Sequence, residues 1–322
     1  MTDRNVPIEI CVLMGGNSSE RDVSLHSGTN VYESLVKSDK QFNAVRGEFS
    51  GPSELLDLVI GADLVFNCLH GGIGEDGTVQ TLLELLDIPY TGTGPYGSAL
   101  AMDKLYSKKS FQRAGVNVPE YIEIGQSEEI DREKIISSLG FPFVVKPVSE
   151  GSSRGIKIVD DKEAIIEATA EVRKNYEKVF IEEYITGKEI TAGMLELNGK
   201  LTPLPLVELN VTEERFFNYE AKYSAGKAEF IVPARLSDEI TEEVKELAMK
   251  AHRAHHCRGY SRVDFRVDLD GGVYALEVNT LPGMTKMSDL PFAASYAGIG
   301  FQELVENMVF SALCNRSSGS DA

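Results

Sequence analysis

The sequence predicts an α/β sheet of Rossmann-like character at the N-terminus, followed by two α+β units, one small and one larger. Three observations carry this. Strand-like apolar runs alternate with helical segments over roughly the first 95 residues, the pattern of a parallel sheet. A Gly/Ser-rich loop at 146–156 has strands on both sides instead of leading into a helix. A hairpin pattern occupies 261–279. The 322 residues exceed what one simple core holds, and the expected division is 1–97, 98–187 and 188–316, with 317–322 as a disordered tail.

The first strand is 8–14, an apolar run ending at Gly15-Gly16, and Ser18 or Ser19 is placed to cap a helix running through Val31, Leu35 and Val36. A second strand at 63–69 leads into His70-Gly-Gly-Ile-Gly-Glu-Asp-Gly77, with a helix at 78–86 behind it. One helix is expected over 98–112, then an extended 121–124 and a helix at 131–139. Strands at 142–148 and 156–159, a helix at 162–174 and a strand at 179–184 complete the small unit. The larger unit carries the hairpin and ends in an amphipathic helix at 301–313.

Charge and cysteine usage bound the partners. With 32 basic and 50 acidic residues the formal charge is −18, and no basic stripe offsets it. That argues against nonspecific binding to nucleic acid or to an anionic membrane; phosphate ligands, which need only a few local cations and amides, stay open. Cys11, Cys68, Cys257 and Cys314 lack C-x-x-C spacing, and Cys11 and Cys68 lie in apolar runs. Buried free thiols in a reducing compartment are expected, not disulfides or zinc ligands. No signal-peptide pattern opens the chain and no apolar run approaches about 18 residues, so a cytoplasmic location is expected.

In the hairpin, Val263, Phe265 and Val267 alternate with Arg262, Asp264 and Arg266. Asp270-Gly271 suits a two-residue turn, which sets Asp264 opposite Glu277 and Arg262 opposite Asn279. Facing Cβ atoms lie about 4.5–5.5 Å apart, where like charges repel. Two opposed carboxylates with an amide oxygen two residues on form an oxygen-only set suited to Mg²⁺, a hard ion that works with phosphates. The same residues also read as a solvated face whose acids are offset by Arg262 and Arg266.

Each remaining motif has a functional and a plain reading. The loop Lys146-Pro-Val-Ser-Glu-Gly-Ser-Ser-Arg-Gly-Ile156 is not a P-loop, because no helix follows it. A glycine hairpin can still close over phosphates with backbone N–H groups and the hydroxyls of Ser152 and Ser153, and Lys146 adds a cation; otherwise it is a solvent hairpin. Backbone groups of Glu182-Glu-Tyr-Ile185 suit an adenine edge and Glu189 suits ribose hydroxyls, unless the segment is an interdomain strand. At Gly15-Gly-Asn-Ser-Ser-Glu-Arg21 a helix N-terminus favours a carboxylate while Glu20 can face an ammonium, as an amino-acid zwitterion requires. The plain reading there is a capped helix start. His70 is a ligand contact or structural, and 218–223 is a lid or a surface excursion.

Gly15–Leu25, Leu69–Thr78, Tyr90–Gly94, Ala101-Met-Asp-Lys104, the Lys146–Gly155 loop, Tyr219–Tyr223 and Leu276–Thr285 occur in one order along nearly the whole chain. This ordered set resembles the D-alanine–D-alanine ligase family of the ATP-grasp superfamily. The resemblance implies an ATP-grasp fold and ATP-dependent joining of two D-alanines through an acyl phosphate, for peptidoglycan, by a homodimeric enzyme. It implies that Asp264, Glu277 and Asn279 hold two Mg²⁺ ions, or Mn²⁺ in their place. Lys104, Lys146 and Lys222 would contact phosphates, and Glu182, Ile185, Glu189 and Phe216 the adenosine. Glu20 and His70 would hold the first D-alanine and Ser288 the second, with Arg262 and the N–H of Gly283 on the tetrahedral oxyanion. Glu20, Ser152 and Tyr223 would close the lid, and Tyr223 matches the dipeptide-forming type.

One position departs from the pattern. Where the family commonly shows Ser-Leu, this chain has Ser288-Asp289. An aspartate there would repel the second carboxylate, turn outward, or suit another acceptor such as D-serine. The different-class alternative, a non-catalytic nucleotide-binding protein, has no need of Lys104, Lys146, Arg262, Asp264, Glu277 and Asn279 together.

Overall fold

The computed structural model describes residues 6–125, 130–151, 154–211 and 228–318. The first unit contains β1 (Ile8–Gly15), α1 (Arg21–Val36), β2 (Phe42–Phe49), α2 (Leu55–Val59), β3 (Leu64–Asn67) and α3 (Thr78–Leu85). Its strands lie in the order β2-β1-β3, all parallel, as the alternation of elements predicts. β1 is central, and Ile10 to Leu13 are buried on both faces. β2 was not legible in the sequence: it is an edge strand with about half its residues exposed, so it lacks a continuous apolar run. Neither Ser18 nor Ser19 caps α1. Glu20 holds the cap position, while Ser18 Oγ accepts from Glu20 N at 3.1 Å and donates to the His70 carbonyl at 2.5 Å. The β1–α1 turn is thereby tied to the end of β3.

The single helix expected over 98–112 is two, α4 (Pro95–Met102) and α5 (Lys104–Arg113). Asp103 between them is extended, and its carboxylate accepts from Leu105 N and Tyr106 N at 3.0 Å each. A carboxylate that can cap a fresh helix competes with continuing the old one. The break makes Lys104 the first residue of α5.

The small unit contains β4 (Tyr121–Ile124), α6 (Arg132–Leu139), β5 (Phe143–Pro147), β6 (Lys157–Val159), α7 (Ile165–Arg173) and β7 (Val179–Glu183). Its sheet has the order β4-β7-β5-β6, is antiparallel, and packs on a core of its own around Phe143, Val145, Ile165 and Ile181. The last unit comprises β8 (Gly187–Leu197), β9 (Lys200–Pro203), β10 (Val207–Val211), β11 (Ala228–Ile231), α8 (Asp238–Ala254), β12 (Tyr260–Asp268), β13 (Val273–Asn279), α9 (Asp289–Tyr296) and α10 (Phe301–Ser318). Its antiparallel sheet runs β11-β10-β8-β12-β13, with β9 added to β8. α10 continues two residues into the expected tail; 319–322 lie outside the described residues.

Two apolar layers hold the large sheet. Phe111 of α5 and Val244 and Ala248 of α8 pack with Val263, Phe265 and Val267 of β12. A second core joins Leu304, Val305 and Met308 of α10 to Val31 and Leu35 of α1 and to Ile10 of β1. The first unit is thus seated on the last by a shared core, which fixes one wall of the site.

At the C-terminal end of α8, His252 Nδ1 lies 2.8 Å from Ser261 Oγ, and His255, the residue that follows the helix, has its Nε2 2.8 Å from Ser107 Oγ. Burial pushes both imidazoles down to about 4 from an ordinary 6.5. The unfolded chain therefore takes up protons that the native state refuses, and stability is lost as pH falls through that window. The melting temperature is expected to decline steadily from pH 6.5 to 4.5; a flat profile would contradict the neutral, buried state of these two residues.

Candidate active site

The β12–β13 hairpin brings the expected residues together by a different route. Arg262 pairs with Asn279 and Asp264 with Glu277, but from Phe265 onward the register shifts, so that Phe265 faces Ala275 and Val267 faces Val273. The expected two-residue turn is absent. Asp268 Oδ1 accepts from Asp270 N at 2.9 Å and from Gly272 N at 2.7 Å, stabilising a longer turn over 269–271, with Gly271 at φ +92°. Leu276 is the extra residue of a bulge that restores the register. Its effect is large. The bulge lets Val273, Ala275 and Val278 all enter the core while Glu277 and Asn279 stay on the cleft side. Strict alternation would put Val273 and Ala275 on the same face as Glu277.

Two cavities open beside this hairpin and meet at Lys104, Glu150 and Glu277, which line both. The larger is walled by Glu20 and His70 from the first unit and by Arg262, Asn279, Gly283 and Ser288 from the last. The smaller lies between the two antiparallel sheets and is walled by Lys146, Glu182, Ile185, Glu189, Asp264 and Arg266. At the junction, Lys104 Nζ lies 3.0 Å from Glu277 Oε2 and donates to the Glu150 carbonyl at 2.5 Å.

In the smaller cavity Glu182 is buried and holds two lysines, Lys146 in close contact and Lys108 at 2.8 Å. Burial alone would raise its pKa, but the two ammonium groups outweigh it and hold the carboxyl below its usual range. Burial lowers Lys108, whose ammonium also lies over the Tyr121 and Phe180 rings at 5.3 and 5.8 Å, and Glu182 offsets part of that shift. Lys108 went unnoticed in the sequence although a signal existed: with Lys104 and Phe111 it follows the i, i+4, i+7 spacing of a core-facing stripe. Glu189 lies across the strand from Arg266, Oε2 to Nη2 at 3.1 Å, and Arg266 Nη1 also donates to the Gly187 carbonyl at 3.2 Å.

In the larger cavity Glu20 is crowded by glycines. A Cβ at Gly71, where φ is +68°, would stand 2.9 Å from Glu20 Oε2, and one at Gly151 would stand 3.2 Å from it. The glycine loop therefore reaches the start of α1, and Arg154 Nη2 donates to the Ser19 carbonyl at 3.2 Å. His70 Nδ1 lies 3.6 Å from Glu75 Oε1 and its Nε2 3.2 Å from Ser27 Oγ, which accepts from Met284 N at 3.1 Å. His70 is so linked to the backbone beside Gly283. Asn279 Oδ1 accepts from Leu281 N at 3.0 Å, which uses one of its two lone pairs. Ser288 Oγ lies 2.8 Å from Thr285 Oγ1 and accepts from Thr285 N at 3.1 Å.

Asp264 takes Arg262 through Nε and Nη2 at 2.8 Å each, and Asp289 Oδ2 lies 3.1 Å from Arg262 Nη1. Burial disfavours the charge on Arg262, but Asp264, Asp289 and Glu277 together raise its pKa and keep it cationic. Asp289 does not turn outward. Ser152, Phe216, Lys222 and Tyr223, and with them most of the candidate lid, lie outside the described residues.

Two antiparallel sheets that close on a lysine-lined cleft, beside a carboxylate-bearing hairpin and a second, substrate-sized cavity, define an ATP-grasp ligase. The family models described as D-ala D-ala ligase N-terminus and C-terminus match residues 50–93 and 110–310. A D-alanine–D-alanine ligase from Halalkalibacterium halodurans is 43% identical, covering 94% of this chain and 98% of its own. The ligase of that name from Trichlorobacter lovleyi is 44% identical over 94% of each chain. Among solved structures, D-alanine–D-alanine ligase from Bacillus anthracis complexed with ATP superposes with a TM-score of 0.85 at 37% identity, covering 97% of this chain and 99% of that one. VanG D-Ala:D-Ser ligase from Enterococcus faecalis gives 0.81 at 29% identity, covering 95% and 99%. The chain belongs to the D-alanine–D-alanine ligase family.

Two outcomes test this geometry. Deleting Leu276 removes the bulge residue and is expected to abolish ADP formation and lower the melting temperature; wild-type activity in the deletion variant would contradict the role of the bulge. Glu182→Gln leaves two lysines facing each other at the floor of the cleft. It is expected to cost about 3–5 kcal/mol in denaturant unfolding and to weaken nucleotide binding. A loss well below that would show that the lysines find other partners.

Proposed function

We propose that the chain joins two D-alanines into D-alanyl-D-alanine with ATP, through an acyl phosphate, and so supplies peptidoglycan synthesis as a cytoplasmic homodimer. The observation that carries the chemistry is the meeting of the two cavities at Lys104 and Glu277. The homodimer rests on family likeness. In this reading ATP occupies the smaller cavity with its phosphates toward the junction, on Lys104 and Lys146. Ile185 lies along adenine and Glu189 holds the ribose. Glu182 acts through Lys146, since its carboxylate is already held under the two lysines. Phe216 and Lys222 add an adenine contact and a cation for the transferred phosphate.

The first D-alanine lies in the larger cavity, its ammonium on Glu20 and its carboxylate beside His70. A carboxylate oxygen attacks the γ-phosphorus as the bond to the β–γ bridging oxygen breaks, and ADP departs. The amine of the second D-alanine, its carboxylate held at Ser288, attacks the acyl carbon. Arg262 and the N–H of Gly283 stabilise the oxyanion, which collapses and expels phosphate. Glu20, Ser152 and Tyr223 close the lid and keep water from the acyl phosphate.

Asp264, Glu277 and Asn279 fit a magnesium site. All three offer oxygen, the two carboxylates are paired across the hairpin, and the cations now balancing them are Arg262 and Lys104. Among the described residues there is no cluster of three His, Cys, Asp or Glu side chains able to hold a metal alone. Such a site therefore leans on the nucleotide's phosphates. Magnesium bound there would neutralise the charge that gathers on the phosphate oxygens.

The test is Mg²⁺-dependent ADP release with D-alanine, with the product identified across several D-amino acids. Absence of ADP release with every D-amino acid supplied would overturn the reading. A preference for D-serine would favour the second reading, an altered acceptor, which the acidic Asp289 in the larger cavity supports. Glu277→Gln is expected to lower turnover about 10²–10³-fold while circular dichroism shows a folded protein; retained turnover would remove Glu277 from the phosphate site.

A further inference from the structure

Arg262 is gripped from two sides. Asp264 takes Nε and Nη2 along one edge of the guanidinium plane. Asp289, the first residue of α9, lies 3.1 Å from the opposite nitrogen, Nη1. Each side chain of this second pair is only 12% exposed, so water screens it weakly. A guanidinium has five N–H donors; Asp264 takes two of them through hydrogen bonds, and Asp289 adds an ion pair at Nη1. The other donors are left for a substrate oxygen. Held along one edge alone, the plane can still tilt about that edge; a second anion at Nη1 removes the tilt. The same anion cancels charge. Arg262, Ser288 and Asp289 line one cavity, and an arginine left with Asp264 alone would draw a carboxylate placed near Ser288 toward itself.

We propose that Asp289 is a positioning residue for the second half-reaction: it aims Arg262 at the tetrahedral centre and withholds that cation from the carboxylate of the second substrate. This rests on the role given to Arg262 above and deepens it. The residue is then no obstacle to the acceptor. It keeps the acceptor's carboxylate on the hydroxyl side of the cavity, where its amine faces the acyl carbon and not the arginine.

The test is steady-state kinetics on Asp289→Asn, Asp289→Leu, Arg262→Lys and the Asp289→Asn/Arg262→Lys double variant, with ATP and D-alanine. Asp289→Asn keeps the side-chain shape and is expected to lower kcat about 10-fold, with the KM for ATP within about 2-fold. In both Asp289 variants the KM for the second D-alanine is expected to fall along with kcat, because the unmasked arginine binds the acceptor unproductively; a merely structural role would not lower it. In the Arg262→Lys background Asp289→Asn is expected to cost clearly less than in the wild type, because a lysine has no guanidinium plane for the aspartate to aim. Additive losses in the double variant, an unchanged kcat, or a raised acceptor KM at constant kcat would each overturn the proposal. If Arg262→Lys alone leaves kcat unchanged, the role of Arg262 in the proposed function fails as well; if Arg262→Lys is impaired but the cycle is additive, only the inference about Asp289 fails.

Discussion

Two carboxylates, Asp264 and Glu277, are forced to face each other across one hairpin, and the rest of the site is arranged around that repulsion. Each is balanced by a different cation. Asp264 takes Arg262, two residues away on its own strand, while Glu277 takes Lys104 from the start of α5. Lys104 in turn reaches the Glu150 carbonyl of the glycine loop. One electrostatic conflict therefore links the large sheet, a helix packed on its back and the loop of the small unit. The break at Asp103 matters for the same reason, because it makes Lys104 the opening residue of α5.

The two cavities differ in how they are built. The smaller has a rigid floor: Glu182 buried beneath Lys108 and Lys146, with all three on packed helix or strand. A buried group of this kind adds little net stability, but it sets where the lysines stand. The larger cavity is assembled from both ends of the chain. Glu20 and His70 come from the first unit, Arg262 and Gly283 from the last, and the core shared by α1 and α10 holds them in register. Ser27 completes that seam by linking the His70 ring to the Met284 amide.

Much of this was legible in the sequence because the strongest signals are periodic or composed of unusual residues. β1, β3 and the parallel first sheet follow from apolar runs, and the Asp264–Glu277 pairing follows from the hairpin. That pairing was reached through a turn the protein does not form. The longer turn and the bulge at Leu276 cancel, and nothing local marks Leu276 as the extra residue, since a leucine suits either face of a strand. β2 escaped because an edge strand has no continuous apolar run, and the α4–α5 break because Asp103 reads as a plain helix residue until its carboxylate is seen capping. The partner of Asp289 was also out of reach. Arg262 precedes it by 27 positions, and only the fold closes that gap.

If phosphate is transferred where the two cavities meet, the oxygen that links donor to acceptor must come from the first amino acid. The direct measurement is to supply D-alanine labelled with ¹⁸O in its carboxylate, run the reaction with ATP and Mg²⁺, and analyse the inorganic phosphate by mass spectrometry. The expected result is one ¹⁸O in each phosphate released with dipeptide, because collapse of the tetrahedral intermediate expels the former bridging oxygen. Dipeptide formed alongside unlabelled phosphate would contradict an acyl phosphate at the Lys104–Glu277 junction.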